Sequence, residues 1–457
     1  MLRDAIHSWD PKGRPVTERC LATTIKLQDG NEFKGRSGVG INRTALVALQ
    51  TINGNDMWIA PAGAVDERNR PYAQAKPKPQ NNGRNYDQAS YALDWLSLAA
   101  GYALQKSANW SKPIFNSEWH GASTLGWRDE RESAAYITAA VWTGLFYGEA
   151  MNVAWYFPRQ GAAVSSSGFS NSFAGSFATQ PLATDTFLRA FMTATAHGAC
   201  VAALGRVRPR IWILRSWPSF AANLNTTSDI LGAFEPASFL GVTVGFLFEE
   251  QLGVVAAGDV VLVAGSTHAA DGTVEWLRRR VAVSPGTVAV VVNPNATGDG
   301  AQLLYTPSGV ARPPTAIAFL FAVPKIELRS THGALAEMAA LPAIAALTSA
   351  MPAWCSSAEQ FGAPAFGVLC KFTVHGGRTL GMAINLRAAA ASVAILTPAA
   401  TAPAHRTRLS GGGLHSAMAT VTNVLTGVRQ VLQPGHTLTL QSSGVVLLDL
   451  GPAPGSK

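Results

Sequence analysis

Two glutamates that end short apolar runs are the residues best suited to chemistry in this 457-residue chain. Glu118 comes at the end of the run that Pro113 opens, and Glu32 follows the run at residues 23–28. If both runs are strands of one parallel barrel, both carboxyl groups come to its mouth. Such a pair can cleave a glycosidic bond: one group protonates the leaving oxygen, and the other, about 5–5.5 Å away, attacks the anomeric carbon.

Each glutamate also has an interpretation without chemistry. Glu118 is equally suited to cap the helix that follows it or to pair with Arg128. Asp29-Gly30 is a hairpin signal, so Glu32 also fits an exposed position after a tight turn. At the level of residue types and spacing, both interpretations stay open.

The segments around Glu118 alternate between strand and helix. Apolar residues recur at helical spacing over 91–108 and cover most sides of 131–147, which predicts two helices. The Glu118 strand lies between these helices, and a further strand is predicted at 152–158. This order predicts a parallel sheet with right-handed crossovers, and it places Glu118 at the carboxyl end of that sheet.

A second alternating pattern begins near residue 206 and predicts a doubly wound, flavodoxin-like sheet. The predicted strands are 210–214, 242–247, 260–264 and 287–292, with helices at 229–240 and 271–283. The third of these strands ends in Gly265-Ser266-Thr267, which contains neither a cysteine elbow nor a Gly-rich phosphate loop. We therefore interpret the neighbouring His268 as a structural residue rather than a catalytic base.

The carboxyl-terminal part of the chain consists of short alternating runs separated by turn residues. This pattern predicts a small antiparallel β-sandwich over 360–457. The runs are 368–374, 380–384, 419–424, 437–440 and 444–450. Residues 387–405 are rich in Ala and Pro and are predicted to form a loop or linker.

Composition restricts the class of protein. Charged residues make up 14% of the chain and hydrophobic residues 47%, which is typical of a globular protein and not of a disordered one. The net charge is +8, but the positive charges are dispersed and form no nucleic-acid-binding pattern, so no nucleic acid partner is expected. No apolar stretch is long enough for a membrane span. The 12 tryptophans supply flat apolar faces on which sugar rings can stack.

The four cysteines are Cys20, Cys200, Cys355 and Cys370. They are too scattered for a zinc cluster and too few for a disulfide scaffold. A bridge between Cys355 and Cys370 is one option. Free thiols in the core are the interpretation that we favour from the sequence.

The segments that contain the two glutamates resemble those of one enzyme family. The segment ending in Glu118 and its aromatic successors are similar to the last two barrel strands of glycoside hydrolase family 42 β-galactosidases. They are Lys112-Pro113-Ile114-Phe115-Asn116-Ser117-Glu118-Trp119-His120, Trp127-Arg128 and Trp155-Tyr156-Phe157-Pro158-Arg159. Gly30-Asn31-Glu32 resembles the Asn-Glu pair that ends the fourth barrel strand across that clan. The resemblance implies a partial (β/α)8 TIM barrel, strands 4–8, over residues 1–200.

By this resemblance the chain would be a retaining exo-glycosidase that hydrolyses terminal β-D-galactosides, free or in oligosaccharides, without a cofactor or a metal. Glu118 would be the nucleophile and Glu32 the acid/base. Asn31 would bind the 2-hydroxyl group of the sugar, and the aromatic residues would line its subsite. The implied substrate-binding set is Asn31, His120, Trp127 and Trp155.

Further segments resemble other parts of the same family. Ser216-Trp217-Pro218-Ser219-Phe220 and Phe248-Glu249-Glu250-Gln251-Leu252 are similar to its trimerisation domain, a glutamine-amidotransferase-like fold without that fold's catalytic residues. Residues 206–345 are therefore predicted to assemble the chain into a homo-oligomer, a trimer by the resemblance. The segment 435–450 resembles the C-terminal β domain of the family.

The chain departs from the family in two places. The first three βα units of the barrel, on the order of 100 residues, have no counterpart before Glu32, so a truncated or mis-started chain, or a remnant with an open barrel, is expected. Residues 160–168 lack the Glu and His that family members often place there. The alternatives are a catalytically inactive sugar-binding or scaffold protein and a related enzyme acting on β-glucosides or β-fucosides.

Overall fold

In a computed structural model of the chain, the described residues are 44, 47–48, 52–55, 95–119, 130–154, 181–222, 226–294, 302–358, 360, 362–387, 389–396, 419–422, 429–432 and 437–452. They contain two parallel sheets followed by two antiparallel sheets. The fold is therefore mixed α/β, in agreement with the fold class predicted from the sequence.

The first parallel sheet carries the Glu118 strand at its centre. Its strands are β1 (Asn53–Asn55), β2 (Ile114–Trp119) and β3 (Glu149–Ala154), in the order β1-β2-β3. Helix α1 (Trp95–Ala108) precedes β2, and helix α2 (Glu130–Phe146) connects β2 to β3. Both helices were predicted, and the apolar character of α2 on most sides was predicted as well. Both are buried between this sheet and other layers. The third strand begins earlier than predicted, at Glu149, and residues 155–158 lie outside the described residues.

Two further helices, α3 (Pro181–Ala196) and α4 (Gly198–Gly205), cover α2 and meet at an angle of 89°. Gly148 makes the close contact between α4 and the turn that follows α2. Its φ of +93° is left-handed, and a Cβ there would lie 2.8 Å from the carbonyl oxygen of Gly205. Within the described residues, no single helix is long and apolar enough to span a membrane, and α3 and α4 meet that criterion only as a bent pair.

The second parallel sheet has the strand order β5-β4-β6-β7-β8, which is the flavodoxin-like order. Its strands are β4 (Ile211–Arg215), β5 (Val244–Phe248), β6 (Val260–Ala264), β7 (Val288–Val292) and β8 (Lys325–Glu327). Its helices are α5 (Trp217–Ala222), α6 (Thr226–Ser238), α7 (Asp271–Val283) and α8 (Pro314–Ile317). The central strands are continuous apolar runs because helices cover both faces of the sheet. Ser107 at the end of α1 accepts the Phe246 backbone N–H, and this hydrogen bond joins the two parallel sheets.

The antiparallel part follows helices α9 (Thr331–Ala340) and α10 (Pro342–Ser349). One sheet has the order β10-β11-β16-β13-β14 and the other β15-β12-β9, and a shared apolar core joins them as a β-sandwich. The strands are β9 (Trp354–Ser357), β10 (Val368–His375), β11 (Arg378–Asn385), β12 (Ala391–Leu396), β13 (Ala419–Thr422), β14 (Arg429–Leu432), β15 (Thr437–Leu440) and β16 (Val445–Pro452). The domain boundaries proposed from the sequence stay predictions.

Two expectations for this part of the chain were wrong. Residues 391–396 are strand β12 and not linker, because Val393 and its neighbours bury an apolar face between β15 and β9. Cys355 on β9 and Cys370 on β10 form a disulfide and are not free thiols. The two strands contact each other and hold the two Cα atoms 6.1 Å apart, within bonding range. Cys200 is a free thiol.

A buried lysine fastens the β-sandwich to the first parallel sheet. Lys371 of β10 is 2% exposed, and its ammonium group donates to the carbonyl oxygen of Phe146 at the end of α2. The same nitrogen lies 4.2 Å from the ring centre of Phe146 and 5.3 Å from that of Tyr147. A cation at a helix carboxyl terminus is favourable for the helix dipole, so the protonated form of Lys371 acts as a C-terminal cap on α2 that the β-sandwich supplies.

Candidate active site

Strand β2 places Glu118 at the edge of the sheet where barrel enzymes carry out their chemistry. Pro113 precedes the strand, and Glu118 is its penultimate residue. Asn116 is the last residue of β2 that pairs with β1, so Glu118 lies two residues beyond that pairing. All three strands run in the same direction, so their carboxyl ends meet at this edge. The structure thus confirms the predicted strand and the position of Glu118 on it.

Directly after Glu118, Trp119 fixes the end of β2 against a helix. Trp119 is 1% exposed, and its ring stacks on Phe187 of α3 with 5.0 Å between the ring centres. Phe187 in turn contacts Phe191 at 5.0 Å. The end of the strand is therefore anchored by aromatic packing one residue away from the candidate nucleophile.

A buried polar network lies behind the same strand, on the side of the helices. The amide of Asn116 donates to the Tyr102 hydroxyl of α1 at 2.9 Å, and this hydroxyl donates to Glu149 Oε1 at 2.9 Å. The side-chain amide of Asn152 donates to the same Glu149 oxygen at 2.8 Å. Asn116, Tyr102 and Glu149 are each less than 5% exposed, and Asn152 is partly buried, so most of the network is shielded from solvent.

Burial determines the charge state of Glu149. It raises the pKa of the carboxyl group to about 8, and the hydrogen bonds from Tyr102, Asn152 and Asn116 only partly oppose that increase. Glu149 is therefore a neutral acid at pH 7. Its Oε1 accepts the two hydrogen bonds from Tyr102 and Asn152, whereas Oε2 has no hydrogen-bond partner among the described residues.

The opposite face of the sheet is apolar and open. Met151 is 50% exposed and Val153 is 45% exposed, and Met151 pairs with the partly exposed Phe115 of β2. In a closed barrel this face packs against the side chains of other strands. The exposed apolar side chains on this face of the sheet are of the kind that line the inside of a barrel.

The other predicted site residues lie outside the described residues. They are the acid/base candidate Glu32 and the substrate-binding candidates Asn31, His120, Trp127 and Trp155. The distance between the two glutamates and the composition of the sugar subsite stay predictions. Within the described part of the chain, no three His, Cys, Asp or Glu side chains are grouped as a metal site.

A cavity of about 460 Å³ lies at the other end of the sheet. Pro113, Glu149 and Gly205 line it, together with the cations Lys106 and Arg206. Burial, and secondarily the charge of Arg206, lower the pKa of Lys106 to about 8. The ammonium group of Lys106 donates to the carbonyl oxygen of Lys112 and supports the start of β2. Because the cavity faces the amino ends of the strands, we do not assign the chemistry to it.

The carboxyl edge of the second sheet has polar residues that bond to one another. The hydroxyl groups of Ser216 and Ser219 donate to the backbone oxygen of His268, and the His268 N–H donates to Ser219 Oγ. The His268 ring stacks on Tyr305 at 4.8 Å and contacts the Thr267 hydroxyl. These contacts fit the structural role predicted for His268.

Sequence reasoning did not identify Glu149 as a residue of interest. One signal was available: a lone carboxylate at the start of a strand that is covered on its helix side must either be paired or be neutral. Nothing in the sequence was a reason to select Tyr102 or Asn116 either, because a Tyr in a buried helix and an Asn in a buried strand are common in protein cores. Only the fold brings the three side chains together.

Neither the models of known protein families nor the curated proteins contain a match to this chain. Solved structures do match. The apo exo-carrageenase of glycoside hydrolase family 42 from Bacteroides ovatus has a TM-score of 0.68 and 18% identity, covering 99% of this chain and 54% of that protein. β-Galactosidases from Bacillus circulans sp. alkalophilus and Rahnella sp. R3 have TM-scores of 0.54 and 0.52, each with 10% identity, covering 98% of this chain and 65% of theirs.

The chain therefore has the fold of a glycoside hydrolase of family 42. At identities of 10–18% the similarity is one of fold. The chain spans about half the length of the exo-carrageenase and about two thirds of the length of the two β-galactosidases.

Proposed function

We propose that the chain is the catalytic part of a retaining glycoside hydrolase that removes terminal β-D-galactosyl groups. The observation that carries the proposal is the position of Glu118, at the carboxyl end of the central strand of a parallel sheet, in a chain with the family 42 fold. The position of catalytic groups in barrel enzymes is this edge of the sheet. The substrate assignment rests on the sequence resemblance and on the β-galactosidases of similar fold.

In the proposed mechanism the Glu118 carboxylate attacks the anomeric carbon while Glu32 protonates the leaving oxygen. The carbon–oxygen bond to the leaving group breaks, and a covalent glycosyl ester forms on Glu118. Glu32, now ionised, then removes a proton from water, which attacks the anomeric carbon and releases Glu118. Asn31, His120, Trp127 and Trp155 are proposed to hold the sugar. Every step uses side chains alone, so no cofactor is required.

The test is hydrolysis of a nitrophenyl β-galactoside by the purified chain and its Glu118→Gln variant. The variant keeps the shape of the side chain but loses the nucleophilic charge, so turnover should fall by several orders of magnitude. Glu275→Gln, at an exposed ion pair on α7, is the matched control and should leave turnover unchanged. Equal turnover of the Glu118→Gln variant and the parent chain would remove the assignment.

Chemical rescue distinguishes the nucleophile from a residue that only supports the site. Glu118→Gly leaves space at the anomeric carbon, and added azide can then attack in place of the missing carboxylate. The expected product is a galactosyl azide of α configuration, because only one displacement occurs. A hydrolysis product without any azide adduct would contradict a nucleophilic role for Glu118.

A catalytically inactive sugar-binding or scaffold protein is the second candidate function. The observation in its favour is that residues 160–168 lack the Glu and His that family members often place there. This candidate predicts galactoside binding by calorimetry together with no hydrolysis by the parent chain. Turnover that depends on Glu118 would eliminate it.

We also propose that residues 206–345 assemble the chain into a homotrimer. The proposal is supported by the sequence resemblance and by the crevice at the carboxyl edge of the second sheet, formed by Ser216, Ser219 and His268. The polar groups of this crevice bond to one another. Multi-angle light scattering of the full chain should give three times the mass of 48.0 kDa. A monomeric mass over the micromolar range would contradict it.

A further inference from the structure

We propose that Glu149 is a positioning residue for Glu118. Acting through Tyr102 and Asn116, it fixes the position of strand β2 along the strand axis. The inference rests on the proposed function, since it concerns the placement of the proposed nucleophile. It goes beyond that function because it assigns a catalytic dependence to three residues at the helix-facing side of the sheet.

Continuity of hydrogen bonds carries the proposal. Asn116 is two residues before Glu118 on the same strand, and its side-chain amide donates to Tyr102. Tyr102 belongs to α1, and its hydroxyl donates to Glu149, the first residue of β3. A displacement of β2 along its own axis would therefore break the Asn116–Tyr102 bond, with both partners buried away from water.

Strand β2 is held at two points, one on each side of Glu118 in the sequence. Trp119 stacks on Phe187 at the far end, and Asn116 is held by the network from behind. Glu118 lies between these two anchors. A misplacement of about 1 Å is enough to cost a catalytic group about 100-fold in rate, so two fixed points around a nucleophile have a direct consequence for turnover.

Helix α2 packs closely against one side of the network. Gly144 of α2 faces it, and a Cβ at Gly144 would lie 2.1 Å from Glu149 Oε2 and 3.0 Å from the Tyr102 ring. Helix α2 can approach this closely only because residue 144 has no side chain. The carboxyl group of Glu149 therefore fills a space bounded by α1, α2 and β3.

Charge is the variable to which the network responds. The pKa of Glu149 is raised by burial to about 8, and Tyr102 of α1, Asn116 of β2 and Asn152 of β3 are the polar groups bonded around it. The cations Lys106 and Arg206 line the cavity beside Glu149, and Lys106 donates to a backbone oxygen instead of the carboxyl group. Above about pH 8, Glu149 becomes an anion whose Oε2 has no donor among the described residues. That unsolvated charge favours entry of water and loosening of the network.

The experiment compares the parent chain with Glu149→Gln, Glu149→Leu and Tyr102→Phe, measuring kcat and KM for a nitrophenyl β-galactoside from pH 5 to pH 10. Glu149→Gln keeps the neutral form and the acceptor oxygen, so it should keep kcat at pH 7 to within about threefold. It should lose the part of the decline that is centred near pH 8 and keep the part that ionisation of Glu32 causes. Glu149→Leu and Tyr102→Phe interrupt the network and should lower kcat about 10- to 100-fold with little change in KM.

Infrared difference spectra of the parent chain against Glu149→Gln give a readout that does not depend on turnover. A neutral carboxyl band that disappears near pH 8 is expected. Its absence at pH 7 would overturn the charge assignment. Circular dichroism melting curves verify that each variant is folded, and Tyr102→Phe serves if a Glu149 variant does not accumulate.

The outcomes separate this inference from the proposed function. If the parent chain is active, Glu118→Gln is inactive and the Glu149 and Tyr102 variants keep the parental kcat and pH profile, the positioning role fails and the proposed function stands. If the parent chain and all variants are inactive, the proposed function fails and the positioning role falls with it. Loss of the decline near pH 8 in both Glu149 variants, together with a lowered kcat in Glu149→Leu and Tyr102→Phe, supports the inference.

Discussion

Two buried carboxyl groups, one in each parallel sheet, have opposite charge states. Glu149 at the start of β3 is surrounded by a phenol and amides and is a neutral acid. Asp259, immediately before β6, is 0% exposed and accepts from the side chains of Arg208, Arg210 and Trp212. Neutral donors solvate the first, and two cations solvate the second.

The pKa of Asp259 is therefore lowered where that of Glu149 is raised. Burial by itself raises the pKa of Asp259, but the Ala256 N–H and the side chains of Arg210, Arg208 and Trp212 together outweigh burial. The comparison shows that the depth of a carboxyl group does not fix its charge. What decides it is whether the donors around the group carry charge of their own, and this makes one sheet sensitive to alkali and the other to acid.

The largest effect is expected from removing the charge of Asp259. Asp259→Asn leaves Arg208 and Arg210, which are partly exposed, without their counter-ion, so the free energy of unfolding should fall by about 1–3 kcal/mol. Urea unfolding at pH 7 measures it. Asp185→Asn, which breaks an exposed pair with Arg189 on α3, is the control and should change stability by less than about 0.5 kcal/mol. Equal effects of the two substitutions on stability would contradict a special role for the buried charge of Asp259.

The pH dependence of stability should separate the two sheets. The folded-state pKa of Glu149 lies above its unfolded value of about 4.5, so its contribution is complete below that pH and is lost as the pH rises through about 8. For Asp259 the folded-state pKa lies below 3.8, so its contribution is present above that pH and is lost as the pH falls through the folded-state pKa.

These windows are measurable by melting curves between pH 2 and pH 9. Glu149→Gln should remove the decline between about pH 4.5 and pH 8 and leave the loss of stability below pH 3.8 in place, and Asp259→Asn should do the reverse. If both substitutions alter stability in the same pH range, the two carboxyl groups do not differ in charge state as described.

A smaller effect is expected from Lys371, a buried base in contact with the first sheet. Burial, and then repulsion from Lys106, lower its pKa to about 7, so stability should rise between pH 7 and about 10.5 as the unfolded chain loses its extra proton. Lys371→Met should change stability at pH 7 by about 1 kcal/mol or less, because a lost hydrogen bond offsets a relieved desolvation cost. The alkaline rise should become weaker in this variant. The exposed Lys325→Met is the control, and an unchanged rise in Lys371→Met would contradict the assignment.

The smallest effect is expected at the crevice of the second sheet. His268→Gln should leave turnover of a nitrophenyl β-galactoside within about twofold of the parent chain, because His268 holds the crevice together mainly through backbone atoms. A loss of turnover comparable to that of Glu118→Gln would move the catalytic centre into the second sheet and reverse the roles proposed for the two sheets.

Much of the second sheet follows from its sequence, because both of its faces are buried. Val260–Ala264 and Val288–Val292 are uninterrupted apolar runs, and helix Asp271–Val283 has a periodic apolar stripe. The edge strand Lys325–Glu327 is short and charged, and no pattern predicted it. Helix Pro181–Ala196 also went unpredicted: it contains several threonines, which are poor helix formers, and packing against α2 stabilises it.

For the candidate site, the sequence predicted the strand and the residue but not the surroundings. Glu118 follows an apolar run opened by Pro113, and this local signal was enough to place it at a strand end. The partners of Asn116 lie on other elements, α1 and β3. Tyr102 on α1 is 14 residues before Asn116 along the chain. A register shift between β2 and β3 also decides which β3 side chains face the helices. Such a shift has no signature in one sequence.

The hydrogen bond from Lys371 to the carbonyl oxygen of Phe146 has a consequence for the order of folding. The two residues are 225 positions apart, and the entire second sheet lies between them. Each doubling of a flexible loop adds about 0.6 kcal/mol of closure entropy, so this contact forms readily only after the second sheet has compacted the intervening chain. We therefore expect docking of the β-sandwich onto α2 to follow the formation of the second sheet.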